Sequence, residues 1–489
     1  MGEIKKQTLS GVKWTAIERF SIQGVQFILG IVIARFLTPA DYGLVGMISI
    51  FFAISQTLID SGISTALVRK LDRNDVDFST AFYFNIVVAT ICAAILYMIA
   101  PWIAVFFNQP LLSPIAKISS INLIIGAFGA IQYTQLTIAI NFKTPAKVNF
   151  IAAVISGVIC LILAFLGFGV WALVWQTIIA NFLKTIMLWI ISRWRPQFIF
   201  SKSSFRGMFG YGNKLLISGL INTIYSEMTT IVIGKFYTPA SLGNYTRGQS
   251  MASLPVGIIS DMFNRVTFPI FAKIQEDQEK LIRVYRDYIS LIMMAVVFIV
   301  LLLVSLAKPI IVLLLTEKWA GAIIFLQVYA FAVIIDPICY LNVNLLKVVG
   351  RTDLVLKLEI IKKSIATGIL FAAVPFGVLA ICISKVIYGQ IAVILNTYYT
   401  GKLFRLGYWM QIKDFLPYML YSVTACVPAV ILAYTCPWNL VSIVFGGILA
   451  VSLYIIILTK SKDKIYMTYV YQYISAIGSK LCNFKSKNR

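Results

Sequence analysis

Histidine is missing from all 489 residues, an absence that excludes imidazole acid–base catalysis, histidine-ligated metal sites and histidine pH switching. Cysteine is sparse: Cys92, Cys160, Cys339, Cys382, Cys426, Cys436 and Cys482 are odd in number and form no C-x-x-C pair. Neither a disulfide framework nor a thiolate metal site is indicated, and these residues read as small apolar side chains. Carboxylates are few as well, 19 Asp and Glu against 42 Lys and Arg, for a net charge of +23. No G-x-x-x-x-G-K-S/T loop is present, so nucleotide hydrolysis is not indicated. Charge of either sign makes up 12% of the chain against 60% hydrophobic residues, which cannot be divided between a soluble core and a wetted surface. The composition is that of a polytopic membrane protein.

What is present is a series of apolar runs of about twenty residues, the length that crosses a bilayer, separated by turn signals. They fall near 11–36, 42–68, 78–106, 114–140, 147–167, 170–192, 208–236, 242–271, 285–307, 320–349, 354–375, 378–403, 415–434 and 438–459, fourteen in all. With the N-terminus inside, the inner segments hold 29 of the 42 Lys and Arg, and the outer ones only Arg35, Lys235, Lys308 and Lys318. This positive-inside asymmetry places both termini in the cytoplasm and tells against a nucleic-acid partner. Trp102, Trp171, Trp319 and Trp438 near outer ends, and Trp14, Trp189, Trp194 and Trp409 near inner ends, read as interfacial belts. The first segment carries Glu18 and Arg19 and lacks a convincing cleavage site, so it reads as a retained span. Outer loops are too short for an external catalytic domain. The inner stretches 193–206 and 272–284 read as solvated loops, and the basic tail from Lys460 as a segment lying on anionic lipid.

The chain contains an internal duplication. Residues 31–44, IVIARFLTPADYGL, return as 231–244, IVIGKFYTPASLGN, with eight of fourteen positions identical. In each copy an apolar run ends at a cation, and Thr38 or Thr238 is placed to cap a new helix beginning at Pro39 or Pro239, where a missing N–H costs nothing. Six spans separate the copies, an even number, so the halves enter the membrane the same way round, as a parallel repeat. The expected fold class is an all-α polytopic membrane protein of about fourteen transmembrane helices. Its parts would be a six-helix lobe over 1–192, a cytoplasmic linker over 193–207, a second six-helix lobe over 208–403, helices thirteen and fourteen over 404–459, and a basic cytoplasmic tail over 460–489. A central cleft is expected between the lobes.

Ionisable groups inside the apolar runs are the strongest candidates for chemistry, because each is costly against lipid. Arg19, Lys214, Arg247, Lys362, Lys363 and Lys385 are candidate anion-binding cations of a wet lumen, since phosphate suits both the arginine fork and the lysine point charge. Gln23, Gln26, Asn222 and Tyr225 extend polar stripes on the leading helix of each half. Glu18, Asp60, Glu227, Asp336 and Glu359 are candidates either for proton or Na⁺ coupling or for salt bridges. Asp261 with Arg265, and Glu359 with Lys362 or Lys363, have the spacing of pairs on one helical face. Lys117 and Lys184 sit close enough to span ends to snorkel. No catalytic residue and no metal site is indicated.

The paired TPA hairpins, with FGVWAL (168–173), LGNYTRGQSMASLP (242–255), NRVTFPIFAKIQED (264–277) and EKW…GR (317–351), resemble the polysaccharide transporters of the Wzx type. These lie within the multidrug/oligosaccharidyl-lipid/polysaccharide exporter superfamily, and the similarity covers nearly the whole chain. The resemblance implies a two-lobed flippase of the bacterial cytoplasmic membrane that moves undecaprenyl-pyrophosphate-linked oligosaccharide from the inner to the outer leaflet. It implies no cofactor beyond a possible coupling ion. The partners implied are the lipid-linked oligosaccharide, membrane lipids and polysaccharide polymerase machinery. Rival readings are a drug or cation antiporter of the same superfamily, a lipid II flippase and, from the enzyme class, a membrane glycan polymerase.

Overall fold

The structure, a computed structural model, describes residues 24–472 except 61, 71 and 142; for Lys214, Arg265 and Val266 the backbone alone is described. Every regular element among the described residues is a helix. In chain order they are α1 Gly24–Phe36, α2 Pro39–Asp60, α3 Ile63–Arg69, α4 Asp75–Phe107, α5 Leu112–Ile138, α6 Lys143–Phe165, α7 Val170–Ile191, α8 Lys202–Phe236 and α9 Pro239–Lys273. They continue with α10 Gln278–Ser305, α11 Ala307–Leu315, α12 Gly321–Val333, α13 Asp336–Val348, α14 Thr352–Ala373, α15 Val378–Phe404, α16 Tyr408–Thr435 and α17 Asn439–Lys460.

Among the described residues, eleven stretches are long and apolar enough to cross a membrane, counting α2 with α3 and α12 with α13 as one stretch each. The chain is a multi-pass membrane protein. The other three expected segments are also helical: α1 over its described part, α9 and α14. Both α9 and α14 are long enough to span, but Arg247 and Asp261 in one, and Glu359, Lys362 and Lys363 in the other, lower their hydropathy.

Three features depart from the apolar windows. The run 42–68 is broken after Asp60, where Gly62 takes a left-handed conformation at φ 68°, and the run 320–349 is broken before Asp336. The stretch after Ser305, expected as an outer loop, is largely helical as α11, and Trp319 beyond it is fully buried rather than interfacial. The inner stretch 272–284 is mostly helix, because the Asp277 side chain accepts the Lys280 N–H at 3.0 Å and starts α10 within the charge run. A hydropathy window registers the apolar middle of a helix, whereas caps set its ends.

The chain divides into two compact units, 1–243 and 244–489. The division falls inside α9 and not at the 193–207 linker, because α8 packs along α2, α3 and α4 of the first unit. The linker itself is stitched down there: the Gln197 and Ser201 N–H groups each donate at 3.0 Å, to the buried Ser79 and Thr80 hydroxyls, and Trp194 Nε1 donates to Asp75 at 3.2 Å. Hydrophobic burial contributes little between helices in lipid, so close approach by small residues carries the packing. Gly129 against Thr185 and Gly157 against Leu29 are such contacts.

In the second unit α10 is the central helix, with Ile289, Ile292, Met293, Val296, Val297 and Val300 all buried. A closed polar network joins it to three neighbours. Tyr285 Oη donates to Gln411 Oε1 at 3.1 Å, Gln411 Nε2 donates to Asn342 Oδ1 at 3.0 Å, and Thr400 Oγ1 donates to the same oxygen at 2.6 Å. With each member satisfied, such a network fixes the register of α10, α13, α15 and α16. Helices α16 and α17, outside the sequence repeat, pack on each other and on α10 and α11.

Candidate functional site

The paired hairpins come together in the first unit. Thr38 and Asp41 form a reciprocal cap: the Thr38 N–H donates to Asp41 Oδ2 at 2.8 Å, and the Asp41 N–H donates to Thr38 Oγ1 at 3.3 Å. In the second copy the Ser241 N–H donates to Thr238 Oγ1 at 3.2 Å. The two copies then cross symmetrically. A Cβ on Gly43 would overlap the Pro239 carbonyl, and a Cβ on Gly243 would overlap the Pro39 carbonyl. The glycine shared by both motifs is therefore the residue on which each copy seats the other's proline turn. Lys235 donates to the Phe106 carbonyl at 2.6 Å with its ammonium 4.5 Å from the Phe106 ring centroid, which caps the C-terminal end of α4.

A polar cavity of about 570 Å³ lies toward the other end of this unit, walled by the α2–α3 break, α5 and α7. Asp60 and Gln56 enter it from the break, Tyr133 and Thr134 from α5, and Asn181 and Lys184 from α7. Gln56 Nε2 donates to Asp60 at 3.3 Å, and the Lys184 ammonium sits 5.3 Å from the Tyr133 ring centroid. A second cavity, of about 380 Å³, shares Gln56 and Asn181 with it and reaches Ser49. Glu227 lies half-buried, 3.4 Å from Ser49 Oγ, and Thr223 and Thr57 bond across α8 and α2 at 3.0 Å.

In the second unit Lys362 is buried and donates to Glu359 at 2.5 Å. Lys385 is half-buried in α15 and makes no salt bridge among the described residues. Asp336 sits at the α12–α13 break, half-buried. Arg247 lies 5.8 Å from the ring centroid of buried Trp319. The Lys362 and Glu359 side chains differ in exposure, 8% against 42%. Glu359→Gln is therefore expected to destabilise by about 1–2 kcal/mol, because the amide still accepts from the buried ammonium but no longer balances its charge, and Lys362→Met by less than about 1 kcal/mol. Thermal unfolding of both variants in detergent measures this order, and the reverse order would show that Lys362 has another anion.

The structure thus brings Asp60 into a cavity, pairs Glu359 with Lys362, and leaves Lys363 beside them on α14. Gln26 and Asn222 are exposed on α1 and α8, Tyr225 is half-buried, and Asp261 is exposed on α9. Glu18, Arg19 and Gln23 lie outside the described residues, as do the side chains of Lys214 and Arg265. Lys184, near a span end, reads in the sequence as a snorkelling residue, and Asn181 and Thr185 carry no charge to mark them. Their signal was present, since Asn181, Lys184, Thr185 and Leu188 form an i, i+3, i+4, i+7 stripe on α7 that faces the cavity.

Helical units with ionisable groups set inside apolar spans make a polytopic α-helical membrane fold, and solved structures share it. The inward closed lipid II flippase MurJ superposes with a TM-score of 0.72 at 16% identity, over 92% of this chain and 100% of that one. An inward-facing multidrug resistance MATE family transporter of the MOP superfamily gives 0.57 at 18% identity, over 80% and 98%. The chain belongs to the polysaccharide biosynthesis protein family, whose model matches residues 32–324. Among curated relatives, the teichuronic acid biosynthesis protein TuaB of Bacillus subtilis is 28% identical over 72% of this chain and 74% of its own length. The succinoglycan biosynthesis transport protein ExoT of Rhizobium meliloti is 25% identical over 76% and 74%. The lipopolysaccharide biosynthesis protein WzxC of Escherichia coli is 23% identical, over 73% of each chain.

Proposed function

We propose that this protein is a flippase that carries undecaprenyl-pyrophosphate-linked oligosaccharide from the inner to the outer leaflet of a bacterial cytoplasmic membrane by alternating access through a cationic cavity. The observation that carries the reading is the family match together with relatives named for surface-polysaccharide biosynthesis and transport. The surplus of cations over anions within the spans gives it a chemistry. Arg19, Lys214, Arg247, Lys362, Lys363 and Lys385 hold the pyrophosphate, with Gln23, Gln26, Asn222 and Tyr225 as polar neighbours. The prenyl tail stays in lipid, where its methylenes cost nothing to leave.

With no nucleotide loop in the sequence, the cycle draws on the substrate gradient or on H⁺ or Na⁺. Asp60, Glu227 and Asp336 are the carboxylates offered for coupling; Glu18 is a further candidate, and Glu359 serves as the salt-bridge partner of Lys362. Both termini are cytoplasmic, and a glycan polymerase would take up the product on the far side. Removing the protein from its host should abolish surface polysaccharide and accumulate the lipid-linked unit; unchanged polysaccharide refutes the reading. The topology has its own test. In a Cys436→Ser background, Lys202→Cys, exposed at the start of α8, should resist an impermeant maleimide in intact cells and react in inverted vesicles. Labelling of intact cells would invert the orientation.

A further inference from the structure

The cavity at the α2–α3 break has a hydrogen-bonding character that fits neither a pyrophosphate nor a bare cation. Asp60 repels an anion there and Lys184 repels a cation, and both charges face the same space. Three of the threonine hydroxyls around them have already committed their protons. Thr134 Oγ1 donates to the Ala130 carbonyl at 2.9 Å, Thr137 Oγ1 to the Tyr133 carbonyl at 3.1 Å, and Thr185 Oγ1 to the Ile125 carbonyl at 2.9 Å. Asn181 Nδ2 donates to Asn122 Oδ1 at 3.0 Å. What the three threonines present to the cavity is therefore lone pairs, next to a carboxylate that accepts as well and an Asn181 amide that keeps one N–H and its oxygen. A ligand that fits is uncharged, carries several O–H donors and offers an acceptor to the one ammonium. The volume of about 570 Å³ lies in the range of small-molecule sites, and the Tyr133 ring supplies an apolar wall.

We propose that this cavity is a saccharide subsite that receives one sugar ring of the transported glycan. Asp60 and the amide and threonine oxygens accept its hydroxyls, and Lys184 donates to a ring or hydroxyl oxygen. The break after Asp60 is what makes room: Gly62, at φ 68°, turns the chain out of α2 so that α3 presents Ser64 and Thr65 to the same space. The inference rests on the flippase reading and names a part of the substrate that the lumenal cations do not recognise. It accounts for a carboxylate and an ammonium kept inside a wet cavity, where a packed core would have been cheaper.

The test uses the full chain in nanodiscs and native mass spectrometry. The probes are undecaprenyl pyrophosphate without sugar and the same lipid carrying glucose, galactose or N-acetylglucosamine. At least one glycosylated lipid is expected to bind about tenfold more tightly than the bare lipid, the worth of one or two added hydrogen bonds. That ratio should fall about threefold or more in Asn181→Leu or in Thr185→Val, the second being isosteric and a safeguard should the first fail to fold. A ratio near one for every probe in the unaltered protein overturns the subsite, and so does a ratio that survives in the folded variants. Binding of no lipid at all overturns the flippase reading as well, a failure told apart by the bare-lipid arm.

Discussion

Valine at Gly43 or Gly243 is expected to remove folded protein from the membrane. At each position the nearest atoms are backbone, the carbonyl and Cα of Pro239 or of Pro39, so no side chain can swing aside. Overpacking a well-fitted contact costs about 1–3 kcal/mol even where side chains can adjust, and a clash with a proline turn lies at or above the top of that range. Marginal stability leaves little to absorb it. Detergent extraction and size exclusion measure the outcome: both valine variants should be lost or aggregated, and Gly447→Val, with open space around its Cβ, should elute normally. A monodisperse Gly43→Val protein would show that the two hairpins do not seat on each other.

The largest functional effect is expected from the span cations. Alanine at Arg19, Lys214, Arg247 or Lys385 should lower surface glycan about ten- to hundredfold while leaving protein in the membrane, the range expected for losing one charge-assisted hydrogen bond to phosphate. Lys385 is the cleanest of the four, because no salt bridge among the described residues is lost with it. Arg247→Ala also uncovers Trp319, so Arg247→Lys, which keeps charge but loses the planar fork, separates packing from ligand binding. Quantitative immunoblots of protein and of surface polysaccharide give both readouts. Full export in every one of these variants would remove the cations from the account.

Sequence made the helices legible because lipid imposes one rule on all of them, that backbone groups be satisfied within the segment. Among the described residues each expected apolar run falls on helix, two of them on a broken pair, and the Thr38 and Thr238 caps start α2 and α9 as their residue types require. The duplication exposed Gly43 and Gly243 as a matched pair, but it took the fold to show that each faces the other copy's proline. The breaks after Asp60 and before Asp336 were hidden, since a residue at a break and a residue in mid-helix share one hydropathy. Lys184 was hidden for a related reason. Distance from a span end predicts that a lysine can snorkel, and nothing in the chain says that an Asp60 waits across a cavity.

The central claim, transbilayer movement of a lipid-linked glycan without nucleotide hydrolysis, is met most directly in liposomes. The purified full chain is reconstituted with a fluorescent undecaprenyl-pyrophosphate glycan, and the fraction open to an external glycosidase is followed in time. The account predicts that this fraction rises from half toward completion only in vesicles containing the protein, with no ATP present, and that Lys385→Ala slows the rise. A plateau at one half in vesicles holding the unaltered, monodisperse protein would contradict it.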